Sequence, residues 1–206
     1  MSGKLTDIGG NPTGAIGRLA GRLMNGLSTR FYRSMIETRL RDLLSAGRRL
    51  TVLDIGCGGG AVVGVFHSLI PDGRVCGIDH SPDMAALSRR KNRRAVRDGA
   101  VSIDEGDVAA LPYPDAYFDI ATAFDTLSFW VDQQAALEEV GRVLAPGGRL
   151  LVINGCPKEG SKWWRFVRLK TEEDYRTLLE RSGFAAVKTE IVAKRIVVTS
   201  EKGQGA

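Results

Sequence analysis

The nine residues Val52-Leu53-Asp54-Ile55-Gly56-Cys57-Gly58-Gly59-Gly60 restrict this chain more than any other stretch. Val52 to Ile55 is apolar and β-prone with one acid in the run, the pattern of a buried strand. Gly56, Gly58, Gly59 and Gly60 cannot prolong that strand. They predict a tight turn with positive φ and no side chains in the way of a ligand. Beyond them, Ala61-Val62-x-x-Val65-Phe66-x-x-Leu69-Ile70 repeats at helical spacing. Strand, glycine loop and helix together bring backbone N–H groups and a helix N-terminus close to something small and partly anionic.

The rest of the chain repeats this alternation. Thr13 to Gly26 carries Ile16, Leu19, Leu23 and Met24 at helical spacing and reads as packing cover or, alternatively, as a lid. Ser28 to Ala46 predicts a helix with the stripe Ile36, Leu40, Leu43 and Leu44, ended by Gly47. Arg74 to Asp79 is a second strand ending in an acid. Ser81-Pro82-Asp83 then opens a helix towards Asp98-Gly99, with Ser as cap, Pro in the first position and Asp in the first turn. Ala100 to Glu105 is a third strand and leads into Gly106-Asp107. Tyr117 to Phe124 is a fourth, Gln133 to Leu144 a helix, and Arg149 to Asn154 a fifth strand. Thr171 to Asp174 has the form of a capping box before a helix that ends at Gly183. Phe184 to Val192 and Lys194 to Ser200 alternate as two closing strands. Alternating strands and helices predict a parallel sheet with right-handed crossovers, and its ligands sit at the carboxyl ends of the strands. The glycine loop, Asp79 and Gly106-Asp107 all fall at such ends.

Several function classes are disfavoured. The three cysteines, Cys57, Cys76 and Cys156, form no C-x-x-C pair, and their odd number argues against a disulfide framework. A reduced, cytoplasmic setting is expected. Cys57 reads as a small loop residue, since no histidine nearby in sequence can activate it. With only His67 and His80 as histidines, no metal site is expected. No apolar run reaches the roughly 20 residues that span a bilayer, and the polar, Gly-rich start shows no signal peptide. The net charge of +5 permits an acidic partner without requiring one. Arg89, Arg90, Lys91, Arg93, Arg94 and Arg97 read as a solvated helix face rather than a nucleic-acid patch.

The acids at the strand ends indicate the ligand. Asp79 can accept from both hydroxyls of a ribose. Asp107 can accept from an exocyclic amine such as adenine N6, and His80, Met84 and Val108 can sandwich the base. A nicotinamide dinucleotide is the first rival, because Gly56-x-Gly58-x-x-Ala61 meets the loose dinucleotide pattern and Asp79 lies at a suitable distance. Asp54 argues against it. An acid just before the loop would face a pyrophosphate unfavourably, but it suits the ammonium of a methionine moiety.

The motifs VLDIGCGGG, GIDHSPDM, EGDVAALPYPDAYFDIATAFDTLSFW and EEVGRVLAPGGRLLVI, in that order over residues 50–154, resemble those of class I S-adenosylmethionine-dependent methyltransferases. They are most similar to the small-molecule group exemplified by the ubiquinone/menaquinone-biosynthesis enzymes. The resemblance implies a Rossmann-like, doubly wound α/β fold: a seven-stranded sheet, mostly parallel with an antiparallel last strand, in a three-layer α/β/α sandwich. It implies one methyltransferase domain over residues 1–206, with a helical cap or lid at 1–47, a cofactor-binding core at 48–154 and a closing helix and strands at 155–200. S-adenosylmethionine would be the methyl donor and S-adenosylhomocysteine the product. Asp54, Gly56, Cys57 and Gly58 would line the methionine part, Asp79 would bind the ribose, and His80 and Met84 would flank adenine. Gly106, Asp107 and Val108 would meet its amine edge, and Phe124 with Asp125 would lie near the transferred methyl.

A general base is optional in such a transfer; Asp125, Tyr32 and His80 are the candidates. Trp130, Trp163 and Trp164 are candidates for walls of the acceptor pocket or for packing. Base-amine methyltransferases carry an Asp/Asn-Pro-Pro-aromatic motif after the fourth strand, and Phe124-Asp125-Thr126-Leu127 departs from it. The expected acceptor is therefore a small molecule, with nucleic acid disfavoured, on a monomer or homodimer. The alternatives are an S-adenosylmethionine-binding protein without catalysis, an RNA methyltransferase and, more remotely, a nicotinamide-dependent oxidoreductase.

Overall fold

The computed structural model describes residues 29–156, 159–161, 164 and 167–203. The expected helix over 13–26 and the candidate wall residue Trp163 lie outside the described residues. Seven strands make a mixed sheet of the expected Rossmann-like α/β class. The chain divides into two compact units, Met1–Asp107 and Val108–Ala206.

The first unit contains α1 (Thr29–Arg39), α2 (Arg41–Leu44), β1 (Thr51–Ile55), α3 (Ala61–Leu69), β2 (Arg74–Asp79), α4 (Pro82–Lys91), α5 (Arg93–Arg97) and β3 (Val101–Glu105). β2 lies between β1 and β3 and is parallel to both. Leu53, Val63, Phe66 and Val75 have no exposed surface, and each such side chain contributes about 1.5–3 kcal/mol by leaving water.

Two helices expected to be continuous are broken. The first breaks at Leu40, which takes φ −118° and ψ 18° and is fully buried, while Leu43 and Leu44 are left half-exposed. The second breaks at Asn92 (φ −98°, ψ 19°). Its Nδ2 donates to the Gly60 and Ser88 carbonyls, both at 3.0 Å. A short amide side chain that bonds backbone in this way competes with the helix ladder. The six basic residues of this stretch are exposed, and Arg89 Nε also donates to the Ile103 carbonyl at 3.0 Å.

The second unit contains β4 (Phe118–Phe124), α6 (Gln133–Val143), β5 (Leu144–Gly155), α7 (Glu172–Arg181), β6 (Phe184–Val192) and β7 (Arg195–Lys202). β4 and β5 are parallel, and β7 lies between β5 and β6, antiparallel to both. β5 begins earlier than the sequence predicts. Pro146-Gly147-Gly148, expected as a turn before the strand, falls inside it as an irregularity, with Gly147 at φ +73° and a register shift between Phe118 and Ile120. Asp132 caps α6 by accepting from the Ala135 N–H at 3.0 Å. The expected capping box opens α7: Thr171 Oγ1 accepts from Asp174 N at 3.1 Å, and Asp174 Oδ2 accepts from Thr171 N at 2.9 Å and Lys170 N at 2.7 Å. The Lys170 N–H leads the contacts that hold the Asp174 carboxyl below its ordinary range.

Candidate functional site

The glycine loop has the predicted conformation. Gly56, Gly58 and Gly60 take φ of +65°, +50° and +75°. Gly60 is also sterically required: a Cβ there would fall on the Ser88 hydroxyl and 2.5 Å from Asn92 Nδ2. Gly58 differs, because a Cβ there would meet nothing within 4 Å. The loop thus has a packed back, formed by Ser88 and Asn92, and an open front at Gly58.

Asp79, the last residue of β2, joins three segments. Its Oδ2 accepts from Gly58 N at 2.8 Å and its Oδ1 from Ser81 N at 2.9 Å. Its backbone carbonyl accepts from Gly106 N at 3.1 Å. One residue therefore fixes the glycine loop, the start of α4 and the exit of β3. A Cβ on Gly106 would stand 2.9 Å from Ile78 Cδ1, so a side chain there would require that methyl to shift. Ser81 is fully buried, and its Oγ accepts from Met84 N at 3.4 Å. Each Asp79 oxygen holds one of these N–H groups, and a carboxylate offers about four acceptor sites in all. Acceptor capacity beyond these two bonds is what a ribose diol needs.

Asp54 is buried on β1 at 2 % exposure. Burial, then the charges of Asp54 and Asp79, push the Cys57 thiol well above its ordinary range. A neutral thiol is a poor nucleophile, and its Sγ lies against Gly77 and Ser88. Met84 is buried. His80 and Asp107 are exposed, and His80 Nδ1 stands 3.8 Å from Asp79 Oδ1, beyond a hydrogen bond. Tyr32 is buried on α1 in edge contact with Phe31.

In the second unit Val108 opens a short 3-10 turn, Val108–Ala110, and is half-buried. Phe124 ends β4 and is buried. Asp125 follows it at φ +54°. Both Asp125 oxygens accept from Arg195 Nη1, at 2.7 and 2.6 Å, and Oδ1 also accepts from Gly155 N at 3.0 Å. The candidate base is thus engaged in an ion pair. Next to it along β5, Asn154 donates to the Tyr175 hydroxyl at 2.9 Å, both residues being buried. Desolvation pushes the Tyr175 phenol up. Beyond Asp125, Trp130 is buried while Phe129 and Val131 are exposed, Val131 at 90 %. Lys170 Nζ lies 5.0 Å from the centre of the Trp164 ring.

Ser88, Asn92, Asn154, Tyr175 and Arg195 were not among the expected site residues. Asn92 has a faint signal, as the one uncharged polar residue inside a basic run. Arg195 has none, since its partner lies 70 positions away. Among the described residues no helix is long and apolar enough to cross a membrane, and no group of three or more His, Cys, Asp or Glu is placed to hold a metal ion.

Residues 53–152 match the family model described as Methyltransferase domain. The demethylmenaquinone methyltransferase of Thermus thermophilus is 36% identical over 140 residues, which cover 68% of this chain and 60% of that protein. The solved structure of a SAM dependent methyltransferase from Aquifex aeolicus matches with a TM-score of 0.73 and 20% identity, over 90% of this chain and 98% of that one. The cyclase SpnF also matches, with a TM-score of 0.65 and 21% identity, over 95% of this chain and 100% of that one. At such identities the solved structures show the shared fold alone, and one fold can host different activities. The chain spans between 34% and 60% of the length of the first curated relatives it matches.

Proposed function

For a chain that belongs to the class I S-adenosylmethionine-dependent methyltransferases, in the ubiquinone/menaquinone-biosynthesis-like group, we propose methyl transfer from S-adenosylmethionine to a small-molecule acceptor. The observation that carries this proposal is the double use of Asp79. Its carboxylate fixes the glycine loop through Gly58 and the start of α4 through Ser81, with acceptor capacity beyond those bonds. The residues of the first unit fit the cofactor: open space in front of Gly58, a buried acid at Asp54, and Asp79 at the next strand end.

When bound, the cofactor supplies an activated methyl group on a sulfonium, open to in-line displacement. The chain's own part is to bind and orient. Asp54 and the backbone of Gly56 to Gly58 hold the aminoacyl end, with Asp54 facing the ammonium. Asp79 accepts from the ribose hydroxyls. His80 and Met84 flank adenine, and Gly106 and Asp107 meet its amine edge. Val108 and Phe124, of the second unit, are assigned on the family resemblance alone. Asp125 is committed to Arg195 and is given no role in proton transfer. Cys57 stays a neutral packing thiol. The acceptor is released as its methylated form, with S-adenosylhomocysteine as the other product. The free thiols Cys57, Cys76 and Cys156 suit a reducing, cytoplasmic setting, and we take the protein as a monomer or homodimer.

Incubation with methyl-labelled S-adenosylmethionine and a metabolite extract tests the acceptor class. Label is expected in a small molecule. Label confined to RNA, or none despite bound cofactor, would favour the RNA-methylating or the non-catalytic alternative.

A further inference from the structure

Given the function proposed above, we propose that Arg195 is a positioning residue for the acceptor side: by clamping Asp125 in left-handed backbone, it aims the 126–131 segment that follows β4.

Three non-glycine residues with positive φ surround this arginine. Asp125 takes +54°, and Ala193 and Lys194, the two residues joining β6 to β7, take +49° and +62°. L side chains rarely adopt this conformation, and it persists where the surroundings over-determine it. Here the surroundings are specific. Arg195 Nη1 donates to both Asp125 oxygens. Gly155, which pairs with Arg195 across β5 and β7, donates its N–H to Asp125 Oδ1 at 3.0 Å. Asp125 N–H donates to the Ile153 carbonyl at 2.7 Å, and Cys156 N–H donates to the Lys194 carbonyl at 3.0 Å. The ends of β4 and β5 and the β6–β7 turn thus converge on one ion pair, whose side chains are only 25% and 22% exposed.

The consequence lies just past Asp125. The chain leaves β4, makes a short 3-10 turn at Leu127–Phe129, and presents Phe129 and Val131 to solvent. With a carboxylate held through both oxygens, Asp125 acts by geometry, and the exposed apolar pair suits an acceptor with an apolar face. Because a single nitrogen makes both contacts, a lysine ammonium can substitute for it, whereas a neutral amide cannot supply the charge.

Arg195→Gln, Arg195→Lys and Asp125→Gly test this. Glycine tolerates φ +54° without strain, so Asp125→Gly removes the clamp while favouring the fold. S-adenosylhomocysteine affinity by calorimetry should stay within about twofold of wild type in all three. Amide hydrogen exchange over 126–131 should quicken about tenfold in Arg195→Gln and Asp125→Gly, and stay near wild type in Arg195→Lys. With the acceptor found by the labelled-methyl screen, KM for that acceptor should rise several-fold in Arg195→Gln, with kcat little changed. Unchanged exchange in both Arg195→Gln and Asp125→Gly would overturn the proposal, as would faster exchange with an unaltered acceptor KM. Failure of the wild-type protein to bind S-adenosylhomocysteine would instead sink the cofactor assignment, with the exchange result still deciding whether Arg195 orders the segment.

Discussion

The two units differ in which residues take left-handed backbone. Among the described residues of the first unit, every positive φ belongs to a glycine: Gly47, Gly56, Gly58, Gly60 and Gly99. In the second unit Ala116, Asp125, Ala186, Ala193 and Lys194 adopt it alongside Gly147, Gly160 and Gly183. Glycine takes that conformation at little steric cost, whereas other L-residues lose about 1–2 kcal/mol each. The first unit therefore bends its loop at glycines and ties it down with Asp79 on the Gly58 N–H and Asn92 on the Gly60 carbonyl, leaving the front of Gly58 open. In the second, the one such residue at the candidate site, Asp125, is held by the side chain of Arg195. A ligand-approach surface made of backbone is encoded locally; a clamp made of side chains depends on which strands meet.

The largest effect should come from adding a side chain where the first unit has none. Gly60→Ala combines a clash with Ser88 and Asn92 with positive φ, and should cost about 2–5 kcal/mol of stability by urea unfolding. Gly58→Ala, with open space around its Cβ, should cost only about 1–2 kcal/mol. Equal losses would erase the difference between the packed back and the open front.

Next comes Asp79. Asp79→Ala should weaken S-adenosylhomocysteine binding by roughly 1.5–3 kcal/mol, about ten- to a hundredfold. Asp79→Asn, which keeps one carbonyl acceptor, should fall between the alanine variant and wild type. A loss of fold without a specific loss of binding would make the residue a structural tie alone.

A smaller effect is expected at the α7 cap. Asp174→Ala should cost about 1 kcal/mol. The Asp174 carboxyl lies below its ordinary range in the folded protein, chiefly through the Lys170 N–H. Glu139 is held low too, chiefly by Arg142, whose Nη2 donates to it at 2.7 Å. Both are depressed carboxylates. Their stabilisation is fully present above the unfolded values, about 3.9 for Asp and 4.3 for Glu, and is lost as pH falls through the lower folded values. Thermal melts between neutral and acid pH should show this loss, and the Asp174→Ala, Glu139→Gln double variant should show less of it.

The smallest effect has the opposite sign. Lys194→Gly relieves a strained φ of +62° against glycine's added unfolded-state entropy, and should stabilise the protein by about 0.5 kcal/mol. A rise in melting temperature would confirm that the second unit carries strain. A fall would mean that the Lys194 side chain contributes more than its backbone costs.

The same contrast explains what was legible in the sequence. The glycine loop, the acid that ends β2, the Ser81 cap and the Thr171–Asp174 capping box are legible in the sequence, because the signal for each lies within a few neighbouring positions. The break at Asn92 is not, because its side chain bonds Gly60, 32 positions earlier. The extension of β5 back to Leu144 was masked by Pro146-Gly147-Gly148, a turn signal that here makes an irregularity within a paired strand. Arg195 and Asp125 meet only through the pairing of β4 with β5 and of β5 with β7, which no local pattern in the sequence marks. The place of Asp125 after the fourth strand makes it a candidate from the sequence, and nothing there marks its partner.

The central claim is that the glycine loop and Asp79 form the cofactor site. Calorimetric titration of S-adenosylhomocysteine into the wild-type protein and the Asp79→Ala variant tests it most directly. The expected result is one-site binding to the wild type, weakened about tenfold or more in the variant, with no heat when nicotinamide dinucleotide is titrated instead. Binding of the dinucleotide in preference to S-adenosylhomocysteine, or equal S-adenosylhomocysteine affinity in both proteins, would contradict it.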